Sequence, residues 1–203
     1  VYVFNSANVL QKFAYFTSTG KQTIQNLTTG NKKVVVLVNF GVEANYPAKT
    51  AGQSTYTDLV NSKLNFTSVP QIKADVVSKG LPMSGEASVT LQEGAGVAVS
   101  NDVTVQVYRL VAKVKLKGVT ITPATNGNVA VNLAELGIMR AVKEGSVVDA
   151  SNAASSSYVK GLDNASGTGD YNAGLNEIVT NNYDPLTNEI YFYVLPNFGA
   201  GVT

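Results

Sequence analysis

The stretch Lys33-Val34-Val35-Val36-Leu37-Val38-Asn39-Phe40 decides the fold. Its centre, Val34 to Val38, is a continuous apolar run dominated by β-branched residues. Such side chains lose rotamer freedom in a helix and pack well on a pleated surface. A run that is apolar on both parities predicts a strand buried on both faces. It belongs in the centre of a sheet, and Val36→Asp would bury an unpaired charge there. Working outward, Val1 to Phe4 alternates aromatic and β-branched residues and predicts another strand. Asn5 to Asn8 is a polar turn, and Val9 to Phe16 pairs back as a hairpin. Asn39 to Thr55 is loop-like, with Pro47 and Gly52.

One short helix is predicted at Thr57 to Leu64, with Thr57 as cap, Asp58 at its positive end and an apolar face of Leu59, Val60 and Leu64. Lys79 to Gly85 is a turn-rich connector in which Met83 plugs an apolar space. Ala87 to Leu91 and Gly96 to Val99 alternate weakly. In Val103 to Leu116 the apolar set changes parity near Tyr108: Val103, Val105 and Val107 share one parity, Leu110, Ala112, Val114 and Leu116 the other. A regular strand cannot do this on one sheet face. A bulge near Tyr108 and Arg109, or a strand that passes from one sheet to another, resolves it. Val129 to Val142 reads as strand, Ser146 to Gly174 as linker and loops, and Ile190 to Leu195 as a last strand ended by Pro196.

Composition agrees with many short strands. Of 203 residues, 44% are hydrophobic and only 14% charged, against about 25% charged in an ordinary soluble domain. The net charge of +1 gives no field for nucleic acid, and none is expected as a partner. The chain has no Cys, His or Trp. Disulfides, thiol nucleophiles and Ser-His-Asp chemistry are therefore impossible within it, and the commonest transition-metal ligands are missing. The expectation is not an enzyme, with no catalytic, cofactor or metal residues and no cofactor.

The bland readings of the remaining polar clusters outweigh the sharp ones. Arg109, Lys113 and Lys115 read as a solvated strand face rather than a basic stripe for phosphate or glycan. A buried Lys-Asn-Glu isopeptide triad has no sequence support. Asp163 to Asn172 does not follow the EF-hand spacing and reads as a loop. Gly167-Thr168-Gly169 and Gly94-Ala95-Gly96 lack the third glycine of a dinucleotide fingerprint. Fourteen scattered acids give no glycosidase pair. Asn26, Asn65 and Asn164 begin sequons that read as polar surface. An exposed aromatic platform, if the chain is a binding module, would draw on Tyr15, Tyr46 and Tyr158.

The order of these signatures resembles the fimbrillins, the lipoprotein-derived type V pilins of Bacteroidia. Val1-Tyr2-Val3-Phe4-Asn5 resembles the family's first core strand, and Val35-Val36-Leu37-Val38-Asn39 its hydrophobic strand ending in Asn. Tyr56 to Leu64 matches the short helix that follows. Leu81-Pro82-Met83-Ser84-Gly85 resembles the family's connector, Arg109-Leu110-Val111-Ala112-Lys113-Val114 its next strand, and Tyr193-Val194-Leu195-Pro196-Asn197 a late strand.

The resemblance implies an all-β chain: a transthyretin-like Greek-key β-sandwich over residues 1–143, and at 144–203 the start of a second β domain that continues past Thr203. It implies export through the outer membrane as a lipoprotein precursor, loss of a first strand by proteolysis, and a place in an extracellular, cell-surface fimbria. Its partners are then other pilin subunits, in a homo- or hetero-polymer built by donor-strand exchange, and a surface receptor that the sequence does not identify. The strand-accepting groove edge is expected beside Val1, Tyr2, Val3 and Phe4, where the lost strand lay. The alternative is a cell-surface carbohydrate- or protein-binding β-sandwich module that never polymerises.

Overall fold

The structure, a computed structural model, describes residues 1–66, 69–94, 101–116, 138–139, 142, 144–148, 172–173 and 190–195. The strands in chain order are β1 (Tyr2–Phe4), β2 (Leu10–Phe13), β3 (Gly30–Val38), β4 (Lys63–Asn65), β5 (Met83–Leu91), β6 (Tyr108–Arg109), β7 (Ala112–Leu116), β8 (Ile138–Met139), β9 (Glu144–Ser146), β10 (Asn172–Ala173) and β11 (Ile190–Val194). Among the described residues two α-helices interrupt them, α1 (Tyr56–Asn61) and α2 (Val69–Lys79), with a single 3-10 turn at Glu43–Asn45. The chain is β-rich with few helices, in keeping with an all-β class.

The largest sheet has five strands in the order β2-β1-β3-β5-β6, and its pairings are all antiparallel. β3 lies at its centre, as the apolar run Val34 to Val38 predicts. Val34, Val35 and Leu37 are buried, while Val36, on the opposite face from Val35, is half-buried. The β1–β2 turn is locked by Asn5, whose Oδ1 accepts the N–H groups of Ala7 and Val9, both at 3.0 Å. Asn8 takes the left-handed φ of 59° that an Asn tolerates in such a turn.

One face of this sheet carries Tyr2, Phe4, Leu10, Val35 and Leu37 into a core closed by Phe40, Tyr46, Leu59, Leu110, Val147 and Val148. Phe4 stacks parallel to Tyr2 at 6.2 Å and meets the Tyr56 ring edge-on at 5.7 Å. A second cluster gathers Phe66, Ile72, Val76, Val111, Val142 and Leu195. Adjacent residues Leu110 and Val111 thus enter different cores. β6 pairs with β5, whereas β7 pairs with β11 in another sheet. This is the change of sheet that the parity break near Tyr108 predicts, placed at Leu110–Val111. Residues 101–107 form no ladder. The Gln106 carbonyl oxygen lies where a Cβ of Gly85 would be, so the chain crosses over Gly85 instead of running beside it.

Several expectations are corrected. The helix expected at Thr57 to Leu64 is α1, capped two residues earlier: Thr55, not Thr57, is the cap. The Thr55 side chain accepts the Asp58 N–H and the Asp58 carboxylate accepts the Thr55 N–H, a capping box. Leu64 belongs to β4. Met83 and Gly85 lie in β5 and leave only residues 80–82 as connector; Met83 is half-buried within the strand. Helix α2 was not expected at all.

The boundary expected at 143/144 does not divide the strand pairing. β9 pairs with β4, β11 pairs with β7, and Val147 and Val148 share a core with Tyr2. Gly96 to Val99, most of Val129 to Val142, and most of Ser146 to Gly174, including nearly all of the Asp163 to Asn172 loop, lie outside the described residues. Among the described residues, no helix is long and apolar enough to cross a membrane.

Candidate strand-accepting site

Tyr2 and Phe4 are fully buried on the core face, Val3 is buried on the opposite face, and Val1 is half-buried. The Tyr2 hydroxyl donates to the Pro47 carbonyl at 2.7 Å. Burial, with Tyr46 adding to it, pushes the Tyr2 phenol well above its ordinary pKa. The Val1 amino group donates to the Ala14 carbonyl at 2.8 Å, and burial lowers its pKa to about 6.

The open edge expected beside Val1 to Phe4 is absent. A strand has two edges, and here both are taken: Tyr2, Val3 and Phe4 pair with Phe13, Lys12 and Leu10 on one side and with Val35, Val34 and Lys33 on the other. The hairpin at Val9 to Phe16 supplies the first partner, so the same sequence signal that predicts β2 closes the edge. The outer side of β2 is itself capped at Leu10, whose N–H donates to Ser54 O and whose carbonyl accepts from Gly52, each at 2.8 Å.

Among the described residues, an edge with no partner strand lies elsewhere, on β4. The Val147 N–H donates to Ser62 O at 3.3 Å, and Leu64 stands opposite Gly145. In an antiparallel ladder, bonded and non-bonded pairs alternate. The Ser62 carbonyl and the backbone groups of Leu64 therefore face β9, and those of Lys63 and Asn65 face away from it. Lys63 and Asn65 line a cleft of about 180 Å³ with Phe40, Leu64, Phe66 and Val147. Helix α2 forms its far wall through Val76, with Asp75 and Lys79 paired at 3.0 Å on the rim. The wall is fixed by the end of α2: Gly80 N–H donates to Val76 O at 2.9 Å with Gly80 at φ +89°. The Asn39 amide donates to Leu81 O at 2.8 Å beside it.

The remaining predicted residues do not assemble a site. Arg109 sits in β6 and Lys113 and Lys115 in β7, so they form no single stripe; Lys113 lies 4.0 Å from the Tyr191 ring centroid. Tyr46 is a core residue, and Tyr15 is half-buried, edge-on to it at 5.6 Å with its hydroxyl on Gly41 O. Neither offers a platform, and Tyr158 is outside the described residues. The buried polar side chains among the described residues are Lys32, Ser84 and Ser146, with no acid for an isopeptide triad. Sequence reasoning missed the β4 edge because its partner strand is some eighty residues away; the only local signal was the alternation of Lys63, Leu64 and Asn65. No family model, no curated protein and no solved structure matches the chain.

Proposed function

We propose that the chain is a structural subunit of a cell-surface fimbria, a fimbrillin-like pilin with a transthyretin-like Greek-key β-sandwich and no catalytic role. It is exported as a lipoprotein precursor, polymerises with other pilin subunits by accepting an extended strand from a neighbour, and supports adhesion. The observation that carries the reading is the β4 edge: outward backbone groups at Lys63 and Asn65 beside an apolar cleft. An incoming strand satisfies those groups and seats alternate side chains. Each apolar side chain buried there contributes about 1.5–3 kcal/mol, offset in part by ordering of the donor.

Asn65→Pro tests it. Proline removes the outward N–H while leaving the bonds from β4 to β9 in place, and its neighbour Leu64 keeps the extended conformation a pre-proline residue prefers. The expected result is a folded, surface-exposed subunit that no longer enters fimbriae on cells that otherwise assemble them. Normal fimbriae built from the variant would refute acceptance at β4. A second reading, a binding module that never polymerises, is favoured by the double pairing of Tyr2–Phe4, and complete absence of fimbriae from cells displaying the unaltered chain would select it.

A further inference from the structure

Beyond the cleft at β4, the core face of the large sheet continues past its apolar part. Along β3 the inward positions run Leu37, Val35, Lys33 and Asn31, and opposite them on β5 stand Ser84, Glu86, Ser88 and Thr90. After Val35 the face turns from apolar to polar. Asn31, Lys33, Ser88 and Thr90 form the floor of a bowl of about 310 Å³, and the β1–β2 turn supplies its wall through Asn5, Ser6 and Asn8.

The polar groups are held in place. The Thr90 hydroxyl donates to Asn31 Oδ1 at 2.7 Å, and Asn5 fixes the turn through its two backbone bonds. The Lys33 ammonium lies 3.7 Å from the Tyr56 ring centroid. Among the described residues it has no carboxylate partner. The Tyr56 hydroxyl donates to Glu86 Oε2 at 2.6 Å, and Glu86 is not among the residues that line the bowl. No carboxylate lines the bowl among the described residues. Amides and hydroxyls that donate and accept, the Lys33 side chain beside a second lining lysine, Lys32, whose own ammonium is held by Thr28 Oγ1 and Thr29 O, and room for one ring match a hydroxylated ring that bears a carboxylate. We infer that the bowl over Asn31, Lys33, Ser88 and Thr90 binds an acidic monosaccharide unit, with Lys33 on its carboxylate and the floor amide and hydroxyls on its ring hydroxyls.

The inference is independent of strand acceptance at β4 and holds for a polymerising or a solitary subunit. Its test is a titration of isotope-labelled protein with glucuronic acid, glucose and acetate, read by amide chemical shifts. Glucuronic acid is expected to shift the amides of Asn31, Lys33, Ser88 and Thr90 in a saturable way. Glucose is expected to bind about tenfold more weakly, the scale of one charge-assisted contact, and acetate to leave them in place. Lys33→Gln should weaken glucuronic acid to the level of glucose. Ser88→Val, a strand-favouring change on an exposed floor position, should weaken both sugars and so guards against a folding defect in the first variant. No saturable shift with glucuronic acid, equal response to acetate, equal affinity for glucose, or unaltered binding by both variants would each overturn it.

Discussion

Gly85 is the position where a single methyl group should tell most about this fold. A Cβ there would overlap the Gln106 carbonyl oxygen and stand 3.0 Å from the Val107 Cα. Both obstacles are backbone, so neither can rotate away, and residues 106–107 must lift. The next residues, Tyr108 and Arg109, hold β6 on Ser84 and Met83, and the Leu110 N–H donates to Pro82 O at 2.9 Å. Overpacking of this kind costs about 1–3 kcal/mol, and each strained or broken ladder bond about 1 kcal/mol more. The lower chain entropy of alanine in the unfolded state returns about 0.4–1 kcal/mol. Gly85→Ala should therefore destabilise by about 2–4 kcal/mol in urea-induced unfolding, with amide exchange quickening first at residues 108–110. Ser88→Ala, three residues along the same strand and exposed, is the matched control and should stay within about 0.5 kcal/mol. An equally small change for Gly85→Ala would mean that residues 101–107 do not cross Gly85, and the account of why β6 is so short would fail.

Two further outcomes follow from β3 and from the cap of α1. Val35 is fully buried whereas Val36 is half-buried, so Val35→Asp should abolish folding, and Val36→Asp, whose carboxylate can reach water, should give a weakened but folded protein by circular dichroism; the reverse order would invert the assigned faces. Thr55→Ala should cost about 1 kcal/mol by removing the cap, measured by thermal unfolding. The Asp58 carboxyl is held below the usual carboxylate range by its hydrogen bonds to Thr55. A depressed native pKa contributes stability present above the unfolded value and lost as pH falls through the native one. The Thr55→Ala deficit should thus shrink on acidification through the lower carboxylate range, and a pH-independent deficit would contradict the capping box.

What was legible in the sequence was what depends on near neighbours. Five consecutive branched residues from Val34 to Val38 state a central strand by themselves. The parity break at Tyr108 states an irregularity, a bulge or a change of sheet, because one regular strand on one face cannot carry it, and the pairing of β6 with β5 and of β7 with β11 selects the second. Thr55 and Asp58 carry the capping box at their spacing of three, and the nearer Thr57 drew attention from it. Helix α2 was hidden by Val76, Val77 and the other β-branched residues around it. Its signals were the four-residue spacing of Ile72 and Val76, the Asp75–Lys79 pair at the same spacing, and Gly80 as terminator. The β4 edge was not legible, because an edge is defined by pairing with strands distant in the chain. β1 looks bare only until β2 folds back, and β4 looks like a loop until β9 arrives from eighty residues on.

That long reach also ties residues 144–148 to the first core. The Ser84 hydroxyl is buried and donates to Val148 O at 2.7 Å, and the Ser146 hydroxyl donates to Val60 O at 3.3 Å. Both bonds join the later segment to elements formed by the first ninety residues. Without residues 144–148 the Ser84 hydroxyl would lose its acceptor in a buried place, a penalty of about 1–3 kcal/mol, and the core would lose Val147 and Val148 at about 1.5–3 kcal/mol each. Losses of that size are comparable to the whole net stability of an ordinary domain, about 5–15 kcal/mol. The same segment holds β4 in the register that turns Lys63 and Asn65 toward the cleft. Segment 144–148 therefore belongs to the first core for two coupled reasons: it completes the packing under β5, and it presents the edge on which the proposed assembly depends.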